Sequence, residues 1–150
     1  MRTVQLECII FRKKDDFFEF LLLKRIPEKG GFWQPISGGL ETEDKSKLDG
    51  CYREIYEETG IQKDQIIKVI SDVHHFVMDK HYLTKKPINP LEEFVFAFEI
   101  PEKIIICLDN NIYPEHNEYK WVSFEEAINL LKWDNNKDAF EKLYSMLKKS

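Results

Sequence analysis

The chain is 150 residues long, 43% hydrophobic and 13% aromatic, with 22 Lys and Arg against 27 Asp and Glu for a net charge of −5. That length suits a single domain over residues 1–150 with a sizeable core, and the acidic balance argues against general attraction to nucleic acid polymers. No apolar run approaches the ~18 residues of a membrane span, and residues 1–7 lack the apolar stretch of a signal peptide. A cytoplasmic protein without a membrane partner is expected. Cys8, Cys51 and Cys107 are far apart and odd in number, with no CxxC or zinc spacing, which favours reduced thiols over a disulfide frame.

Residues 4–11 are rich in β formers and residues 17–24 form a second such run, joined by the polar stretch Arg12-Lys13-Lys14-Asp15-Asp16, so a hairpin is expected. Residues 36–40 lead from a short strand into the glycine loop at Gly38-Gly39. Ser46 and Asp49 make a capping-box type of helix start, and Gly60 suits the left-handed position past the helix end. Between them Leu48, Tyr52, Ile55 and Thr59 give an apolar stripe. Gly50, a poor helix interior residue, reads as close packing against a neighbouring loop. Residues 66–75 read as strand, and 93–100, apolar nearly throughout, as a strand buried on both faces. A further strand is predicted over 104–108 and a short one over 119–122, with loops at 76–92 and 109–118. Ser123 and Glu126 open a helix from Phe124 to about Leu131. Asn135 or Asn136 caps a last helix whose buried stripe is Ala139, Phe140, Leu143 and Leu147. Strands and helices interspersed in this way predict an α/β fold, a mixed sheet covered on both faces.

The helix over 46–60 carries the chemistry. Glu54, Glu57 and Glu58 stand at i, i+3 and i+4, neighbours on one side, where like charges cost roughly a few tenths of a kcal/mol per pair. At 3.6 residues per turn the apolar stripe is centred on the order of 130° away. A divalent cation would convert that repulsion into a gain, because Mg²⁺ seeks carboxylate oxygens.

Gly38-Gly39-Leu40-Glu41 followed by Arg53-Glu54-Ile55-Tyr56-Glu57-Glu58-Thr59-Gly60-Ile61 resembles the Nudix box, G-x5-E-x7-R-E-U-x-E-E-x-G-U. One position departs from it: counted back from Arg53, the first Glu of the pattern falls on Lys45. A one-residue insertion between Leu40 and Ser46 accounts for this, leaving Asp44 or Glu43 to brace Arg53. The resemblance implies an α/β/α Nudix sandwich and metal-assisted attack of water on a diphosphate linkage, with Mg²⁺, or Mn²⁺ in its place. It implies Glu57 and Glu58 as metal ligands, Glu54 as a third ligand or the base, and a Gly38 or Gly39 carbonyl completing the shell. Arg53 has two candidate roles, bracing the loop or orienting the carboxylates through Glu57; bracing is favoured.

Phe32-Trp33-Gln34, the run from Pro114 to Trp121 and the tail from Trp133 to Ala139 are similar to the bacterial Nudix branch that includes dihydroneopterin triphosphate pyrophosphatase. That likeness implies release of pyrophosphate from a nucleoside or pterin triphosphate. Glu115 is then the candidate extra carboxylate and Glu118 a weaker one. His116 is a candidate acid–base group, Trp33 and Phe32 candidate stacking rings, Gln34 a reader of a ring edge, and Lys24 and Arg25 candidate phosphate holders. His74, His75 and His81 show no ligand spacing. Two alternatives stand beside this reading: a Nudix hydrolase of a sugar nucleotide, dinucleoside polyphosphate or oxidised nucleotide, and an inert Nudix-shaped binding module. A monomer and a homodimer are both compatible with the sequence.

Overall fold

The computed structural model describes residues 3–81, 84–110 and 115–149. Strand β1 (Thr3–Lys14) turns through Asp15 and Asp16 into β2 (Phe17–Arg25), with Lys14 opposite Phe17. Asp15 takes the left-handed conformation (φ 56°) that such a two-residue connection demands. Short strands β3 (Trp33–Gln34) and β4 (Ile36–Gly39) lead to helix α1 (Lys47–Thr59). Then come β5 (Lys68–Lys80), β6 (Pro87–Glu99), β7 (His116–Val122), α2 (Phe124–Leu130) and α3 (Asp134–Lys148).

The seven strands make one mixed sheet in the order β3-β2-β1-β6-β5, with β4 also on β1 and β7 on β2. Only β1 and β6 run parallel among these pairs. Period-two alternation divides the sheet's side chains between two cores. Leu6, Cys8, Ile10, Phe96 and Phe98 meet Cys51 and Ile55 of α1 on one face. Ile9, Phe11, Phe20, Leu22, Val95 and Ala97 meet Ala127, Phe140 and Leu143 of α2 and α3 on the other. Each such Leu, Ile or Phe, fully buried, contributes ~1.5–3 kcal/mol of transfer free energy. Helices thus cover both faces, as the alternation of elements predicts, and residues 95–98 of β6 are buried on both.

Helix α1 begins and ends as expected: the Ser46 hydroxyl accepts from the Asp49 N–H, and Gly60 (φ 76°) returns its N–H to the Tyr56 carbonyl. A Cβ on Gly50 would stand 2.7 Å from Leu6 and 3.2 Å from Leu40, so the neighbouring loop does press on the helix there.

Four expectations are corrected. The predicted loop over 76–92 is largely ladder: β5 and β6 continue as a hairpin arm through Met78↔Leu91 and Lys80↔Pro87. Its side chains are mostly exposed, so the polar composition that suggested a loop reflects strands running beyond the core. Residues 104–108 are not a strand. The Cys107 N–H donates to the Thr59 carbonyl at the end of α1, a group without an intrahelical partner, and a 3₁₀ turn (Leu108–Asn110) follows. Helix α3 starts after Trp133 rather than at Asn135 or Asn136, and the Asn136 amide instead reaches Glu7 (2.7 Å). Its predicted stripe, Ala139, Phe140, Leu143 and Leu147, is buried as a unit. Within the predicted 109–118 loop, His116 to Glu118 belong to β7, and residues 111–114, including Pro114, lie outside the described residues.

Candidate functional site

Arg53, on the second turn of α1, is the hub of the site. Its Nε and Nη2 donate to Asp44 Oδ1 (3.0 Å) and Oδ2 (2.9 Å), and Nη2 also donates to the Gly39 carbonyl (2.9 Å). Its Nη1 donates to Glu54 Oε1 (2.9 Å) and lies 3.3 Å from Glu41 and 3.6 Å from Glu57. Asp44 closes the loop on itself by accepting the Glu41 N–H (2.8 Å). The inserted residue is thereby absorbed: Asp44, not Glu43 or Lys45, stands where the box's first Glu is expected to act. Planar bidentate geometry suits this guanidinium–carboxylate pairing. The bond to Arg53 holds the Asp44 carboxyl below the usual aspartate range.

Four carboxylates surround this one guanidinium, and Glu54 shows the excess of negative charge. It is 8% exposed and packed against the backbone of Gly38, where a Cβ would overlap its carboxyl group. Burial raises its pKa to about 7; Arg53 opposes that shift, and Glu57 and Glu58 add to it. Glu57, the most open of the three helix acids, faces solvent.

Glu58 is held from the other side. The buried Gln34 amide of β3 lies 2.8 Å from His116 Nε2, and His116 Nδ1 lies 2.9 Å from Glu58 Oε2. An amide N–H donating to Nε2 leaves the ring proton on Nδ1, where it donates to Glu58. Three elements distant in sequence, β3, α1 and β7, are joined by this chain. The likeness outside the box made His116 and Gln34 candidates, but nothing in their spacing indicated that they join each other and Glu58.

The other candidates lie outside this group. The Gln34 amide is engaged with His116 and not presented to a ring. Trp33 lies half-buried on the opposite face of the sheet, with the Lys24 and Lys120 ammonium groups 5.9 and 5.3 Å from its ring centre. Phe32 packs edge-on against Trp133 (5.6 Å). Arg25 donates to the Lys29 carbonyl (3.0 Å), securing the turn after β2. Glu115 pairs with Lys29 (3.5 Å) and Glu118 with Lys24 (3.4 Å). His74 contacts Lys142, His75 contacts Glu92, and His81 accepts from the Thr84 N–H.

Among the described residues no three His, Cys, Asp or Glu side chains are gathered in an arrangement ready to hold a metal ion. The donor set nonetheless fits a hard divalent cation: hard carboxylate oxygens on one helical turn, outnumbering the local positive charge, beside a glycine backbone too close for any side chain. Among the described residues no helix is long and apolar enough to cross a membrane.

Comparison with known proteins agrees with this geometry. The profile of the NUDIX domain family matches residues 1–144. Similar curated proteins include an octanoyltransferase of Myxococcus xanthus, 30% identical over 95% of this chain but 36% of that protein. An RNA pyrophosphohydrolase of Pelagibacter ubique is 28% identical over 93% of this chain and 90% of its own length. The chain spans between about a third and two thirds of the length of the first three curated relatives it matches. Among solved structures, a NUDIX hydrolase fold from Listeria monocytogenes superposes with a TM-score of 0.78 at 29% identity, over 97% of this chain and 94% of that one. An Ap4A hydrolase of C. elegans gives 0.77 at 22% identity, over 99% of both chains. The dihydroneopterin triphosphate pyrophosphohydrolase of E. coli gives 0.71 at 23%, over 93% and 92%. The last two likenesses are of fold. With the glycine turn, the arginine-braced carboxylates and a family match over nearly its whole length, the chain belongs to the Nudix hydrolase family.

Proposed function

We propose that residues 1–150 form one hydrolase domain that cleaves the diphosphate linkage of a nucleoside or pterin triphosphate, releasing pyrophosphate and a monophosphate. The observation that carries this reading is the set of carboxylates, Glu41, Asp44, Glu54 and Glu57, gathered on Arg53 beside the Gly38–Gly39 turn. Glu57 and Glu58, with the Gly38 carbonyl, would hold a divalent cation, Mg²⁺ or Mn²⁺, with Glu54 either a third ligand or the base. Such a cation, when bound, neutralises phosphate charge and lowers the pKa of water.

The chain's own groups divide the remaining work. Arg53 and Asp44 keep the glycine loop closed onto α1. Glu54 Oε1 is engaged by Arg53, leaving Oε2 to accept a proton from the attacking water; a pKa of about 7 suits a base working near neutrality. His116 and Gln34 fix the orientation of Glu58. Trp33, Phe32 and Arg25 remain the proposed contacts for ring and phosphates, and Glu115 an auxiliary acid.

Replacing Glu57 by Gln should lower turnover by on the order of 10²-fold or more with the fold intact; near-full activity would refute the assignment. The RNA pyrophosphohydrolase relatives favour a second reading, removal of pyrophosphate from a triphosphate-ended RNA, against which the net charge of −5 weighs. Mass-spectrometric analysis of products from nucleoside triphosphates, neopterin triphosphate, Ap4A, sugar nucleotides and a 5′-triphosphorylated oligonucleotide separates these substrates.

A further inference from the structure

Strand β5 ends the sheet on one side, and among the described residues no strand pairs with its outer edge. Such an edge is a row of unpaired backbone N–H and C=O groups, a template for a further strand. The first half of β5 guards itself. Its register against β6 jumps between Ile70 and His74, and Asp72 there takes the left-handed conformation (φ 57°), so the edge is broken. The second half, residues 74–80, has no such guard. The next irregularity, between Met78 and Lys80, puts the extra residues on β6, so β5 itself runs evenly for this stretch. It contains no Pro, and no Asp, Glu, Lys or Arg stands between His75 and Asp79. In its middle Val77 is 43% exposed and belongs to neither core.

The order of side chains along this stretch suits a second copy of itself. Alternation puts His75, Val77 and Asp79 on the face toward α1, with Phe94 opposite His75, and Phe76 and Met78 on the other, where Phe76 joins the core under α3. In an antiparallel pairing across a two-fold axis through Val77, every residue of the stretch meets one on its own face. Val77 falls opposite its own symmetry mate, which covers both exposed side chains. Phe76 falls opposite Met78, a favourable sulfur–aromatic pair, and His75 opposite Asp79, donor against acceptor. Only His74 against Lys80 gains nothing, and these stand at the two ends. Moving the axis to Phe76 or Met78 shortens the even ladder and separates His75 from Asp79.

We propose that residues 74–80 of β5 form a homodimer contact, in which two copies of the chain join edge to edge at Val77 and their sheets become one. The paired strands are much shorter than the roughly 20–30 residues a side of a standard interface, so the dimer should be weak and appear with concentration. The contact uses no residue of the carboxylate cluster on Arg53, so it stands or falls apart from the hydrolase reading.

The first test is sedimentation velocity on the full chain from about 1 to about 500 µM, over which monomer should give way to dimer. Val77→Glu sets two like charges against each other on the axis and should raise the dissociation constant at least about tenfold. Because Val77 is exposed, circular dichroism of that variant should match wild type. Register is read by cross-linking in a Cys107→Ser background, which removes the exposed thiol. Directly opposed residues on paired strands have Cβ atoms about 4.5–5.5 Å apart, within disulfide reach, whereas Asp79 and its mate would stand roughly 14 Å apart along the strands. Oxidised glutathione should therefore link Val77→Cys chains into covalent dimers and leave Asp79→Cys chains unlinked. A wild type that stays monomeric to the top of the concentration range leaves the edge to another strand or to solvent and overturns the inference. So does a dimer that survives Val77→Glu, or equal linking at the two positions.

Discussion

Truncating Asp44 to Ala removes the partner that closes the glycine loop on α1. Its side chain is 6% exposed and Arg53's is 20%, so the pair is partly screened from water. Two charge-assisted bonds at 3.0 and 2.9 Å are lost, together with acceptance of the Glu41 N–H. Hydrogen bonds to charged groups contribute ~1.5–3 kcal/mol each. Arg53 keeps the Gly39 carbonyl and Glu54, so the net loss should be about 2–4 kcal/mol. For a chain of this size that corresponds to a fall in melting temperature of roughly 5–15 °C. Urea unfolding measures it, with Glu43→Ala and Lys45→Glu as controls that should stay within about 0.5 kcal/mol. The Asp44 pKa is lowered in the folded state, so its contribution is complete above the usual aspartate range and lost as pH falls through the depressed value. The gap between wild type and Asp44→Ala should therefore close in acid. A variant as stable as wild type at pH 7, or rescue of Asp44→Ala by Lys45→Glu, would refute the assignment of Asp44 as the brace.

Gly38→Ala drives a methyl group into the Glu54 carboxyl, and kcat/KM should fall at least about tenfold in steady-state assays with the hydrolysed substrate. His116→Ala frees Glu58 and leaves Gln34 unpaired; calorimetric affinity for Mn²⁺ should weaken by roughly 10- to 100-fold, with partial recovery in His116→Asn, which keeps a donor. Without metal, thermal stability should decline as pH rises from the usual glutamate range to about 7. Over that window folded Glu54 and Glu93 hold protons that the unfolded chain has released. Differential scanning fluorimetry should show a shallower slope in Glu54→Gln or Glu93→Gln and the shallowest in the double variant; a slope unchanged in the double variant would exclude these groups.

Local signals carried the helices well. Ser46, Gly60, Ser123 and the stripe from Ala139 to Leu147 act within a few residues of one another, so sequence spacing alone reports them. The same holds for the acidic turn of α1, whose geometry follows from helical pitch. Reading failed where composition stood in for contact. The arm of β5 and β6 is polar because it runs past the core, and residues 104–108 are apolar because they pack against the core beside the end of α1, where the Cys107 N–H meets the Thr59 carbonyl. Asn136, a plausible cap, is instead drawn to a buried carboxyl.

The amino-acid order determined the glycine turn, the acids that follow Arg53 and the helix that presents them, because each depends on interactions within one or two turns. Only the tertiary structure decided that Asp44 takes the bracing role across an inserted residue, that Gln34 and His116 hold Glu58, and that Glu7 meets Glu93 beneath Asn136. Those contacts join residues as far apart as 129 positions, and strand register and helix docking, set by the packing of two cores, bring them together.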